Sequence, residues 1–233
     1  VTGGRRLSEA ELVSAWDHAL DRPAADRPLL LLDRPDADRL PVGAVAALLL
    51  RTAGDWTGGR VETIMDCPAC PERLEVGFTV AELLAAGPEP ATGTFTLDWR
   101  GHRLTLRLPT PADLAEAARA GDPAAAERRL LQRCLVAAEP PVAEPAELLP
   151  AVSAAMAERD PLGVVAVALT CPACGTGAEA LLDLPAWAWQ AADARVRRLL
   201  GEVHRLARAY GWSEAEVLGL GPHRRAAYLE QVP

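Results

Sequence analysis

Two identical tetrapeptides, Cys67-Pro68-Ala69-Cys70 and Cys171-Pro172-Ala173-Cys174, hold four of the five cysteines in a chain of 233 residues. A Cys-x-x-Cys turn brings two thiolates toward one point, with backbone N–H groups facing the sulfurs. Two such turns supply four soft donors in a tetrahedral set, which suits Zn2+. Four thiolates leave no coordination position for water, so the expected ion is structural and not catalytic. Two other readings stand beside this one. A single CPAC could be a thioredoxin-like redox pair, but that motif opens a helix after a strand. Here the second knuckle runs into Gly175-Thr176-Gly177 and then strand-like sequence. Two pairs of inert free thiols would need the same spacing twice by coincidence. Cys134 stands alone on an apolar helical face and reads as a core residue.

No other residue set points to chemistry. All 24 basic residues are Arg, which excludes Schiff-base chemistry, a Walker lysine and a lysine general base. His18, His102, His204 and His223 have no second His or Cys at ligand spacing. Ser and Asp residues form no nucleophile-elbow pattern, and Asp55-Trp56-Thr57-Gly58-Gly59 does not make a phosphate loop. The carboxylate pairs Asp33/Asp36 and Glu214/Glu216 fit solvation and helix capping. The chain therefore reads as a non-enzyme.

The net charge of −8 and the pI near 5.1 argue against a general nucleic-acid or anionic-membrane binder, which needs a basic surface. The apolar runs Leu29–Leu32 and Ala44–Leu50 are far too short to span a membrane. The opening stretch Val1–Arg6 lacks the apolar segment of a secretory signal, so a cytoplasmic location is expected.

The elements that must position the cysteines can be read from periodicity. Residues 8 to 20 form an amphipathic helix with Ser8 and Glu11 as a capping box. Proline-punctuated loops follow, then an apolar, buried helix over 41 to 52. The first knuckle leads into a strand over 74 to 80. Residues 93–99 and 102–108 predict a hairpin turning at Arg100-Gly101. Thr110-Pro111-Ala112-Asp113 starts a helix that Gly121 stops, and Asp122-Pro123 starts another reaching about Ala138. Past the stiff connector 139–145, a helix over 146–158 leads to a strand over 164–170, the second knuckle and a strand over 178–184. Strand-like sequence around both knuckles matches a zinc ribbon with residues 75–163 inserted between its halves.

From Pro185 the pattern is helical nearly to the end. Trp189, Ala192, Val196, Leu199, Leu200, Val203, Leu206, Ala207 and Tyr210 share one stripe, and Gly211 ends it. Ser213 and Glu216 form a second capping box, and Pro222 opens a last helix. One reading is a helical hairpin closing its own core. The other is a partner surface rich in aromatic residues and arginine, made by Trp187, Trp189, Tyr210, Trp212, Arg224, Arg225 and Tyr228.

The order of motifs is distinctive. A CPAC with its strand is followed by Arg107-Leu-Pro-Thr-Pro-Ala-Asp-Leu114, Leu130-Leu-Gln-Arg-Cys134, Asp160-Pro161 and a second CPACG. Glu202 to Leu218 and Arg224-Arg225-x-x-Tyr228-Leu229 complete it. This order resembles the bacterial proteins related to the T4-type baseplate hub assembly chaperones, encoded with contractile phage tails and phage-tail-like injection systems. The resemblance is strongest from residue 160 onward, and Ala186-Trp187-Ala188-Trp189 stands where such proteins often carry Phe-Leu-Trp. It implies a non-enzymatic role in building a baseplate, with hub or spike proteins as partners. A structural subunit retained in the particle is the nearest alternative, and a zinc-ribbon nucleic-acid adaptor a more distant one.

The expected fold is α+β. A helical region over 1–60 precedes a zinc-ribbon core with an inserted hairpin and helices over 61–184, and a helical hairpin over 185–233 closes the chain.

Overall fold

The computed structural model describes residues 5–85, 87 and 92–232; part of the N-terminal stretch, residues 1–4, lies outside them. The chain is α+β, with three small antiparallel sheets among its described residues.

Helix α1 (Glu9–Leu20) starts at the Ser8–Glu11 capping box, as the sequence indicates. Two short 3-10 turns (Arg27–Leu31 and Ala37–Arg39) lead to α2 (Val42–Thr57). Ten residues of α2 are buried, in keeping with its apolar sequence, and Gly58 ends it in the left-handed conformation (φ 66°).

Strand β1 (Arg60–Asp66) was not evident from periodicity. It pairs along its whole length with β2 (Arg73–Thr79), and Cys67 and Cys70 lie in the turn between them. Helix α3 (Val80–Ala85) follows. Because β2 closes the first hairpin, the insertion starts at Val80 and not at residue 75.

The inserted part holds a three-stranded sheet of order β3-β4-β5. Strands β3 (Thr94–Trp99) and β4 (His102–Arg107) form the expected hairpin. Its turn uses Arg100 and Gly101, both at positive φ (46° and 85°). Helix α4 (Pro111–Ala117) is capped by Thr110 and Asp113. Helix α5 (Pro123–Cys134) stops four residues before the expected end, because residues Leu135–Glu139 form strand β5 on the free edge of β4. Strand pairing wins there: it satisfies the β4 edge and packs Leu135 and Ala138 beside Leu104, Leu106 and Leu148. A 3-10 turn (Pro145–Leu148) and α6 (Leu149–Arg159) occupy the next predicted helix.

Strands β6 (Val165–Thr170) and β7 (Gly177–Leu182) form a second two-stranded hairpin with Cys171 and Cys174 in its turn. The C-terminal part is one long helix, α7 (Leu184–Tyr210), with short helices α8 (Glu214–Leu218) and α9 (Pro222–Leu229) folded back on it. It is therefore not a simple two-helix hairpin.

Three apolar clusters hold these elements. Leu12, Leu31, Leu48 and Leu49 pack with Ala188, Ala192 and Val196, so N- and C-terminal helices share one core. Leu50, Val61, Leu83, Leu162 and Leu184 join α2 and α7 to both cysteine-bearing hairpins. The third cluster fills the inserted sheet and its helices.

Candidate metal centre

Each knuckle is closed by the same backbone bond. Cys67 N–H donates to the carbonyl of Glu72 and Cys171 N–H to that of Thr176, both at 2.9 Å. In the second turn Gly175 N–H also donates to the Cys171 carbonyl at 2.9 Å. Gly175 takes φ 73° there, a value that suits glycine because it lacks a Cβ.

The two tips meet. Cys67 Sγ lies 3.7 Å from Cys174 Sγ, and Cys70 Sγ lies 3.7 Å from Cys171 Sγ. All four sulfurs fall within 4.8 Å of one another. These distances are far beyond a disulfide bond of about 2.05 Å, and all five cysteines are free. A tetrahedral ion with metal–sulfur bonds of about 2.3 Å sets neighbouring sulfurs about 3.8 Å apart. The four donors fit that spacing, so Cys67, Cys70, Cys171 and Cys174 can hold a metal ion.

The environment is layered. Cys67 and Cys171 are buried with Leu74, and Leu169 packs against them. Cys70 is half-buried and Cys174 exposed. Ala69 N–H points at Cys67 Sγ from 3.5 Å, and Thr176 Oγ1 lies 3.3 Å from Cys174 Sγ. The Thr176 hydroxyl and N–H pull the Cys174 thiol down to about 6. At Cys70 the Glu72 N–H acts in the same direction, but burial and the three neighbouring thiols push it up to about 12. Four negative sulfurs this close repel one another strongly, and a bound cation is what lets all four ionise together. Cys134 is elsewhere, fully buried, with its thiol pushed up to about 11 by burial.

The predicted partner residues separate into distinct settings. Trp187 is half-buried between two apolar clusters. Trp189 packs on the first, with the Arg27 guanidinium 5.9 Å from its ring centre. Tyr210, Trp212 and Tyr228 form one aromatic cluster, with centroids 4.7 to 5.7 Å apart, and Tyr210 is 40 % exposed. Arg224 is exposed. Arg225 is not a surface residue: it is 2 % exposed. Its guanidinium contacts Glu9 at 2.5 Å and Glu202 at 2.6 Å and donates to the Leu220 carbonyl. Glu9 also pairs with Arg195. Arg225 therefore locks α9 and α7 to the start of α1.

Two buried carboxylates escaped sequence reasoning. Asp113, visible only as a capping residue, also pairs with Arg107 and Arg133 at 2.5 and 2.6 Å. Asp160 accepts from Gly43 N–H at 2.9 Å, capping α2, whose own N-cap Pro41 offers no side-chain bond. Its Oδ1 has no partner among the described residues. The Asp160 bond has no local signal, since Gly43 lies 117 residues away, and Arg133 is 20 positions from Asp113, although Arg107 is only six.

Compared with protein-family models, with curated proteins and with solved structures, the chain matches none. No helix of the described residues is long and apolar enough to cross a membrane.

Proposed function

We propose that the chain is a non-enzymatic assembly factor for the baseplate or hub of a contractile phage-tail-like injection system. One structural Zn2+ in a zinc-ribbon-like centre holds it in shape. The observation that carries the metal reading is the meeting of four sulfurs from two hairpin tips, with both cross-hairpin pairs at 3.7 Å. An all-sulfur tetrahedral set suits zinc, and with no open position the ion acts as a clasp. The tail-machine part rests on the order of sequence motifs, above all the Tyr210-Gly211-Trp212-Ser213-Glu214 segment and the downstream Arg224-Arg225.

The chain's own residues would then divide the work. The cysteines join hairpins that flank the insertion, Arg225 holds the C-terminal helices in place, and Tyr210, Trp212, Tyr228 and Arg224 offer an aromatic, basic contact for a hub or spike protein. Co-expression with the hub, spike and baseplate proteins of such a system tests this. The chain should co-purify with one of them, and Tyr210→Ala with Arg224→Ala should weaken that capture without changing the fold. Absence of the chain from finished particles marks a transient chaperone, and its retention marks a subunit. No association with any tail component would refute the assignment.

A further inference from the structure

Two clefts merge into one groove along the side of α7. The first, about 770 Å3, crosses the outer face of the β1–β2 hairpin toward Leu181 on β7. The second, about 410 Å3, lies between the end of α2 and α7 and reaches Arg198. Arg60, Glu62, Trp187 and Gln190 line both clefts, so these four sit at their junction.

Three features of this groove are unexplained by folding. Ile64 is 53 % and Leu181 69 % exposed, although both are large and apolar and both line the same cleft. Gly77 lines it too, and a Cβ placed there would meet nothing within 4 Å, which leaves strand backbone open to approach. The charges are also ordered. At the hairpin end Glu75 makes no ion pair with a described residue, and Asp183 caps α7, while at the junction Glu62 is balanced by Arg60 at 3.1 Å. At the other end Arg198 is exposed with no ion pair among the described residues. The groove thus runs from an acidic end, which also holds Ile64 and Leu181, past Trp187 and the balanced Arg60–Glu62 pair at the junction, to a basic end.

We infer that this groove binds an extended segment of another protein. Apolar side chains of the segment cover Ile64, Leu181 and Trp187. An Arg or Lys at one end faces Glu75 and Asp183, and an Asp or Glu at the other faces Arg198. Each hairpin is only two-stranded, so its strands keep unpaired edges to which an extended chain can hydrogen-bond. The inference uses none of the residues of the docking surface proposed above and does not depend on a contractile tail.

A phage-displayed library of random nonapeptides, panned against the full metal-loaded chain, tests it. Enriched peptides should carry basic and apolar residues together toward one end and an acidic residue at the other. A synthetic consensus peptide should lose at least tenfold in affinity to Leu181→Asp and to Ile64→Asp, both surface changes whose folding is checked by circular dichroism. Arg198→Glu should do the same, with affinity regained when the peptide's acidic residue becomes Arg. Tyr210→Ala and Arg224→Ala should leave peptide affinity unchanged, which separates this groove from the aromatic cluster. The inference is overturned by no enrichment, by peptides indifferent to the groove substitutions, or by a dimer in solution that Leu181→Asp dissociates.

Discussion

Buried charge in this protein sits where distant segments must be joined. Arg225 is buried against Glu9 and Glu202, whose side chains remain about a quarter exposed (24 % and 22 %). Removing one partner of a fully buried pair costs about 3–5 kcal/mol, and the partial exposure of the glutamates places Arg225→Met toward the low end of that range. Urea denaturation should show the loss as a lower midpoint with little change in slope. Asp113 gives a pH signature. Burial works to raise its pKa, but hydrogen bonds from Arg107, Arg133 and Thr110 outweigh it and hold the carboxyl well below the usual carboxylate range. A folded pKa depressed below the unfolded value of about 3.9 adds stability that is present above about pH 5 and lost as pH falls below about 4. Asp113→Asn should therefore be less stable at neutral pH and show a flatter decline on acidification in pH-dependent thermal melts. Gly43 tests the long-range cap. A Cβ there would lie 1.7 Å from Asp160 Oδ1, so Gly43→Ala must displace that carboxylate, at about 1–3 kcal/mol or more.

Helices with their own caps, Ser8 with Glu11, Thr110 with Asp113 and Ser213 with Glu216, were legible in sequence because every participating residue is local. So were the strands beside the second knuckle and the hairpin around Gly101. Strand β5 was not. Leu135 and Ala138 continue a helical spacing from α5, and only the open edge of β4 turns them into a strand. Strand β1 is hidden in the sequence because Thr63 on its inner face and Ile64 on its exposed face break the alternation that Arg60, Glu62 and Asp66 keep; its strand state depends on pairing with β2. The four cysteines could be read as one site from their doubled spacing alone, whereas Arg225 looked like a surface residue because Glu9 is 216 positions away. The cysteine-bearing hairpins also behave differently from the inserted sheet. A two-stranded hairpin is marginal by itself, and these two meet at their tips, while β3–β5 has its own apolar cluster. Chelation should speed amide hydrogen exchange in β1, β2, β6 and β7 far more than in β3 and β4. Uniform acceleration across all three sheets would contradict that division.

At the scale of the molecule, α2 and α7 are shared walls. One apolar cluster joins them to the N-terminal helices, and a second joins them to the cysteine hairpins. The sulfur cluster closes the far end of those hairpins, so the chain between them leaves and returns to one fixed point. Its function as proposed needs nothing catalytic from that point, only that the surfaces on α7, α8 and α9 stay in place. Ligand binding free energy at a four-thiolate site adds directly to folding free energy, which makes the metal the most direct test. Elemental analysis of the purified chain should give one zinc per polypeptide. The Co2+-substituted protein should show the intense visible absorption of a tetrahedral thiolate site, lost in Cys171→Ser. A strong chelator should lower the melting temperature of the native chain but not of that variant. A chain free of metal whose melting is unchanged by chelator and by Cys171→Ser would contradict the account.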